Sequence, residues 1–129
     1  NCLDMFREMF LVTGLQKVVC DDPEVVPARE VLQMAAVNGA HAMGLPECDR
    51  LAPGKKADLI MIDLMQPNMQ PLQNIEKNVV YSGSKQNVKM TMIGGKVLYR
   101  DGEFFIGCSP DKVYEKAGET VKRILGAED

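Results

Sequence analysis

Apolar side chains cover most of the circumference of a helix predicted over residues 3–19, in the stretch NCLDMFREMFLVTGLQKVV. The polar stripe of this helix is narrow and runs through Asp4, Arg7 and Glu8, while Asn1 can serve as its N-cap. A helix of this kind packs on several sides in a folded protein. Because the chain opens directly on it, we expect the chain to be a piece of a longer protein.

A second helix is predicted over residues 27–43, with Pro27 in its first turn, Gly44 at its end and Pro46 preventing its continuation. At 100° per residue one face is apolar and the opposite face is polar. The apolar face comprises Val31, Leu32, Ala35, Ala36, Gly39, Ala42 and Met43, and the polar face comprises Arg29, Glu30, Gln33 and His41.

Strands and tight turns are predicted from Leu51 onward. Gly94-Gly95 and Asp101-Gly102 read as two-residue hairpin turns, with positive φ at Gly95 and Gly102. Asn74–Ser82 is compatible with either helix or strand. The strand segments are Ala57–Leu64, Val79–Ser82, Val88–Ile93, Lys96–Arg100 and Glu103–Ile106.

The tail has the signals of a final amphipathic helix. Ser109 is the predicted cap, Pro110 and Asp111 stand in the first turn, and Gly126 is the stop. Its apolar stripe is expected to lie across a sheet or on a part of the protein outside this chain.

Composition and charge narrow the function. The chain has 129 residues, 46% of them hydrophobic and 26% charged, which is typical of one globular domain. A net charge of −3 and few aromatic residues argue against a nucleic-acid partner. No apolar run approaches the roughly 20 residues that span a bilayer, so no membrane association is predicted and a cytoplasmic location is expected.

The residues that could carry chemistry are sparse. The four cysteines lie far apart without a C-x-x-C pair, so no zinc ribbon is predicted. His41 is the only histidine, and no Cys, Asp or Glu at ligand spacing shares its helix face, so we interpret it as a solvated surface residue. No catalytic, cofactor-binding or metal-binding residue is predicted in the chain.

Three stretches together form a pattern that is similar to a known family: LAPGKKADLIMIDL, then NVVYSG, and then VKMTMIGGKVLYRDGEF. Together they resemble the C-terminal region of the amidohydrolase superfamily. Pro71 followed by Asn78–Ser82 and the hairpin is similar to the branch that deaminates S-adenosylhomocysteine or methylthioadenosine, to which chlorohydrolases are related. Gly94 departs from the pattern, since relatives usually carry Asn or Asp there, but glycine allows the same backbone conformation.

The resemblance implies an α+β fragment of a larger fold. Residues 1–46 would be the last helices of a catalytic (β/α)₈ barrel, and residues 47–109 the C-terminal part of a small composite β-sandwich. Residues 110–129 would form the C-terminal helix. Ala57–Leu64 would be an interior strand of the sandwich.

The resemblance also implies the chemistry of the parent enzyme. A divalent metal, zinc or iron, would be held by several histidines and one aspartate outside this chain, and a small-molecule substrate would bind only in the parent. The fragment alone is therefore expected to be inactive. The alternative is a stand-alone β-rich interaction module without catalysis.

A homo-oligomer is also expected. The apolar faces of the first two helices would lack their barrel partners in this chain, which favours self-association through Phe6, Met9, Phe10, Val31, Leu32 and Met43.

Overall fold

The computed structural model describes residues 2–126 as an α+β arrangement of helices and one antiparallel sheet, with strand order β1-β2-β3-β4. The helices are α1 (Met5–Cys20), α2 (Ala28–Gln33), α3 (Gly39–Ala42), α4 (Ile75–Tyr81) and α5 (Pro110–Leu125). The strands are β1 (Leu59–Ile62), β2 (Val88–Ile93), β3 (Lys96–Arg100) and β4 (Glu103–Phe104).

Helix α1 begins at Met5 because the Asp4 carboxylate accepts a hydrogen bond from the backbone N–H of Arg7 at 3.4 Å. Asn1, the residue predicted to cap this helix, lies outside the described residues. The helix ends at Asp21, which takes a left-handed conformation with φ of 50°.

The helix predicted over residues 27–43 is present but interrupted. Pro27 is its N-cap rather than a residue of its first turn, and a π-turn at Met34–Asn38 separates α2 from α3. Gly44 follows with φ of 71°, which confirms the predicted end. A π-turn has more residues per turn than an α-helix, so it rotates the side chains from this point onward relative to those of α2. For this reason Ala36, Ala42 and Met43 are exposed, although the sequence placed them on the apolar face with Val31.

Both predicted hairpins are confirmed. Gly94 and Gly95 have φ of 56° and 78°, and Asp101 and Gly102 have φ of 47° and 93°. Positive φ at both central residues is the conformation of a type I′ turn, whose twist matches that of the flanking strands. Strand β4 ends at Phe104, two residues earlier than predicted.

A valine at Gly95 is expected to lower the free energy of unfolding by about 1–2 kcal/mol, because a β-branched residue is strained at positive φ. No heavy atom lies within 4 Å of the added Cβ, so the cost comes from the backbone alone. Lys96→Val, at an exposed strand position one residue later, is the control and is expected to be nearly neutral. Equal melting temperatures for the two variants would contradict this assignment of the turn.

Strand β1 is shorter than the predicted Ala57–Leu64 and pairs antiparallel with β2, with Leu59 opposite Met92. Among the described residues its other edge has no partner strand. Its place as an interior strand therefore stays a prediction for a longer protein.

The assignment of Val79–Ser82 to a strand is wrong, and the ambiguity at Asn74–Ser82 resolves to a helix. The Asn74 side chain accepts a hydrogen bond from the backbone N–H of Lys77 at 2.9 Å and so caps α4. Val79 and Val80 are buried on the inner face of this helix.

The hydrophobic core lies between α1, α2 and α4. Its residues come from both sides of residue 46, the predicted boundary between the barrel helices and the sandwich. Three of the six side chains expected to be uncovered, Phe6, Met9 and Val31, are buried there, and Leu32 is partly buried. Only Phe10, at 50% exposure, and Met43, at 76%, match that expectation. Helix α4 supplies the missing cover. The buried cluster consists of Phe6, Met9, Ala28, Val31, Met69, Val79 and Val80.

Helix α5 has the predicted caps: the Ser109 hydroxyl accepts from the backbone N–H of Lys112 at 3.4 Å, and Gly126 has φ of 66°. Residues 111–126 are all exposed, so α5 does not lie across the sheet as one expectation had it. Across residues 2–126, no helix combines the length and the apolar character needed to cross a bilayer.

Candidate functional site

His41 is not simply solvated as the sequence suggested. Its Nε2 lies 3.1 Å from Oδ2 of Asp49, while its side chain remains 54% exposed. The partner comes from the loop after α3, eight residues along the chain, and for that reason a search of the helix face did not find it. Because an ionised carboxylate only accepts hydrogen bonds, Nε2 carries the proton in this pair.

Asp49 is the centre of a charged cluster that the sequence analysis missed. Its carboxylate is buried and lies 2.9 Å from Nζ of Lys55 and 3.2 Å from Nη2 of Arg50, in addition to the histidine. The hydrogen bond from Lys55 holds the pKa of Asp49 well below its usual range, and those from His41 and Arg50 add to this against the effect of burial. The available signal was an acidic residue directly before Arg50 and six residues before Lys55.

The Gly-Lys-Lys-Ala-Asp stretch, residues 54–58, holds two parts of the fold together by hydrogen bonds and ion pairs and does not form a reaction site. We call it, with its partners, the fastening. Lys55 also donates to the carbonyl of Pro46 at 2.7 Å, and Lys56 pairs with Glu47 through its side chain at 3.0 Å and its backbone N–H at 2.9 Å. Asp58 accepts from the backbone N–H of Gly94, which is the main cause of its lowered pKa. The stretch therefore connects the residues just after α3 to the first hairpin turn, so that it joins the helical segment, α1 to α3, to the sheet.

Cys48 is part of the same fastening. A hydrogen bond between its thiol and Asp58 raises the pKa of Cys48, and partial burial adds to the rise. Since the thiolate is the reactive form of cysteine, this environment is unfavourable for a nucleophile.

The residues present do not fit a catalytic metal. Within residues 2–126, no three His, Cys, Asp or Glu side chains are arranged to hold a metal ion. The one histidine already donates through Nε2 to a carboxylate that has two further cationic partners.

Two apolar clefts flank α1. One, of about 230 Å³, lies between α1 and the segment from α2 to the π-turn, with the carboxylate of Glu8 as its acidic group. The other, of about 200 Å³, lies between α1, the π-turn and β1. Met5 and Met9 line both. Among the residues that line them, neither cleft groups a nucleophile with a base.

The sequence profile of the Amidohydrolase family matches residues 1–98, so the chain belongs to the amidohydrolase family. This match covers the helical segment, the fastening and the sheet as far as β3.

The chain is similar in sequence to adenosine-derivative deaminases. The chain is 45% identical over 104 residues to a 5-methylthioadenosine/S-adenosylhomocysteine deaminase of Nitratidesulfovibrio vulgaris, covering 81% of this chain and 24% of that protein. It is 42% identical over 103 residues to a 5'-deoxyadenosine deaminase of Methanothermobacter thermautotrophicus, covering 80% and 24%. The chain thus spans about a quarter of the length of these relatives.

Solved structures share the fold. An adenosine deaminase from Xanthomonas campestris with bound zinc superposes with a TM-score of 0.88 at 27% identity, over 95% of this chain and 28% of that one. The atrazine chlorohydrolase TrzN from Arthrobacter aurescens superposes with a TM-score of 0.77 at 18% identity, over 88% and 25%. The second similarity concerns the fold alone.

Proposed function

We propose that this chain is part of a longer, metal-dependent amidohydrolase that hydrolytically deaminates an adenosine derivative. The observation that carries the proposal is the 45% identity to a methylthioadenosine/S-adenosylhomocysteine deaminase. The 42% identity to a 5'-deoxyadenosine deaminase supports the same substrate class, an adenosine modified at its 5' position. Dechlorination of a heteroaromatic ring has weaker support, because TrzN is only 18% identical.

In this proposal α1, α2 and α3 are the last helices of a catalytic barrel, and β1 to β4 are part of a small sandwich beside it. The two apolar clefts along α1 support the first assignment, since they offer apolar surface to a further layer. The unpaired edge of β1 supports the second, since an added strand can pair there.

In this proposal the chain contributes to catalysis by holding the last helices of the barrel in place. The buried cluster around Phe6, Val31 and Val80 fixes α1 and α2 against α4, and the Asp49 cluster fixes the end of α3 against the loop that follows it. The metal and its ligands would lie in the rest of the enzyme, where zinc or iron would supply the hydrolytic chemistry. The four free cysteines support a cytoplasmic location for that enzyme.

The competing function is a stand-alone interaction module. Its support is the exposed apolar stripe of α5, which no other described element covers, and which could dock a protein partner. The similarity to deaminases over four fifths of the chain favours the enzyme.

The test is to express the whole reading frame that contains this chain, and residues 1–129 alone, and to measure ammonia release from methylthioadenosine, S-adenosylhomocysteine and 5'-deoxyadenosine. We expect turnover and about one bound metal per chain for the whole frame, and neither for residues 1–129. A whole-frame product that binds no metal and releases no ammonia would refute the proposal. Turnover by residues 1–129 that is lost in His41→Gln would refute the positional role given to this chain.

A further inference from the structure

The segment between α3 and β1 is anchored by charge rather than by apolar burial. In residues 32–68, all of which the structure describes, Asp49 is the only buried residue. The buried position in this segment is thus occupied by a carboxylate and not by an apolar side chain. Loops with few buried apolar contacts open with less free energy than the core does.

The ends of this segment are fixed independently of Asp49. At one end, the backbone N–H of Leu45 donates to the carbonyl of Ala40 at 2.9 Å. At the other end, the backbone N–H of Gly95 donates to the carbonyl of Ala57 at 3.0 Å. The residues between these two points can therefore move without unfolding α3 or the sheet.

Asp49 is held entirely by side chains from two places. His41 reaches it from α3, and Arg50 and Lys55 reach it from the segment itself. In the part of the chain that the structure describes, no backbone N–H donates to this carboxylate. A buried ionised carboxylate left without such partners is strongly unfavourable, so the closed position of the segment depends on this cluster.

We propose that residues 45–56 form a strap that unfolds and refolds locally as one cooperative unit, with the Asp49 carboxylate as its latch against His41 and Lys55. The strap lies between α3 and β1 in the chain. Loss of the latch charge releases the strap and leaves the core around Val80 folded. This inference does not depend on the proposed function.

Hydrogen exchange of backbone amides, followed by NMR in the full chain, tests the strap. The reporters are the amides of Cys48, Lys55 and Lys56, which donate within the strap at 3.0, 3.1 and 2.9 Å, and the reference is the Ser82 amide at the end of α4. In Asp49→Asn we expect at least tenfold faster exchange at the three reporters and less than twofold change at Ser82. Lys55→Met, which keeps the apolar stem, is expected to show the same pattern.

Glu47→Gln is the matched control, because it removes a carboxylate from the same strap whose ion pair with Lys56 is partly exposed, at 39% for Glu47 and 54% for Lys56. We expect less than threefold faster exchange in this variant, since exposed ion pairs contribute little. Equal acceleration at the reporters and at Ser82 would show that Asp49 merely contributes to global stability and would overturn the proposal. Unchanged exchange in Asp49→Asn, or a variant that does not fold, would overturn it as well.

The latch also has a defined pH dependence. Since the folded-state pKa of Asp49 is lowered, its contribution is fully present above the ordinary aspartate value of about 4 and is lost as the pH falls from there toward the folded-state pKa. His41 faces the same carboxylate, together with Arg50 and Lys55, so His41→Gln is compared in parallel. After correction for the intrinsic amide exchange rates, hydrogen exchange of the strap amides in His41→Gln is expected to be equal at pH 5 and pH 7. Faster exchange at pH 5 would contradict an ionised Asp49 carboxylate as the latch.

Discussion

Replacing Gly83 by alanine is expected to lower the free energy of unfolding by about 2–3 kcal/mol, at the upper end of the usual cost of overpacking. A Cβ at this position would overlap the carbonyl oxygen of Val79 and would lie 2.9 Å from Cδ1 of Phe6. The Val79 oxygen belongs to the backbone of α4 and cannot rotate away. The Phe6 ring is buried, so its movement would disturb the core that joins α1 to α4.

Gly14→Ala is the matched control, because Gly14 is in the middle of α1 and no heavy atom beyond its chain neighbours and the adjoining backbone of α1 lies within 4 Å of its added Cβ. That variant is expected to gain about 0.5–1 kcal/mol from the higher helix propensity of alanine. Urea titrations of both variants measure the difference. If the two glycines respond alike, α4 does not pack on Phe6 as described.

The chain of residues 1–129 on its own is expected to self-associate through the exposed apolar side of α1. Although Phe6 and Met9 are buried, Leu15 and Val19 remain exposed on the same helix. Burial of one large apolar side chain contributes about 1.5–3 kcal/mol, so a shared patch of this kind favours association. Light scattering across a dilution series should show an average mass that rises with concentration.

A Leu15→Glu, Val19→Glu double variant should remain monomeric over the same range, whereas Gln16→Glu, an exposed polar position between them, should behave as the wild type. Phe6 is not a suitable site for this test, since a charge in the core would unfold the chain. A wild-type chain that is monomeric at every concentration would show that the exposed side of α1 does not associate.

Features encoded by a few adjacent residues were predictable from the sequence. Ser109 and Gly126 mark the ends of α5, and the Gly94-Gly95 and Asp101-Gly102 pairs fix two hairpins, because capping and positive φ depend on local chemistry. The resemblance carried by the Gly-Lys-Lys stretch and the hairpin likewise identified the family.

Features that depend on distant contacts were not predictable. Val79 and Val80 have the composition of a strand, yet the Asn74 cap and the packing on Phe6 and Val31 place them in a helix. The π-turn breaks the 100° periodicity on which the predicted face of residues 31–43 rested. Asp49 was missed because its partners, His41 and Lys55, become neighbours only when the loop folds.

The two adjacent lysines of the fastening fix the length of the loop that precedes them. Lys55 reaches back to Asp49 and Pro46, while Lys56 reaches back to Glu47, so the two side chains leave the turn toward different partners. Removing one residue between Arg50 and Gly54 would move Lys56 into the place of Lys55 and would leave Glu47 without its lysine partner. We therefore expect substitutions of the exposed side chains in this loop to be tolerated. An insertion or deletion, in contrast, would displace the lysines from their partners and change how the following residues meet the sheet.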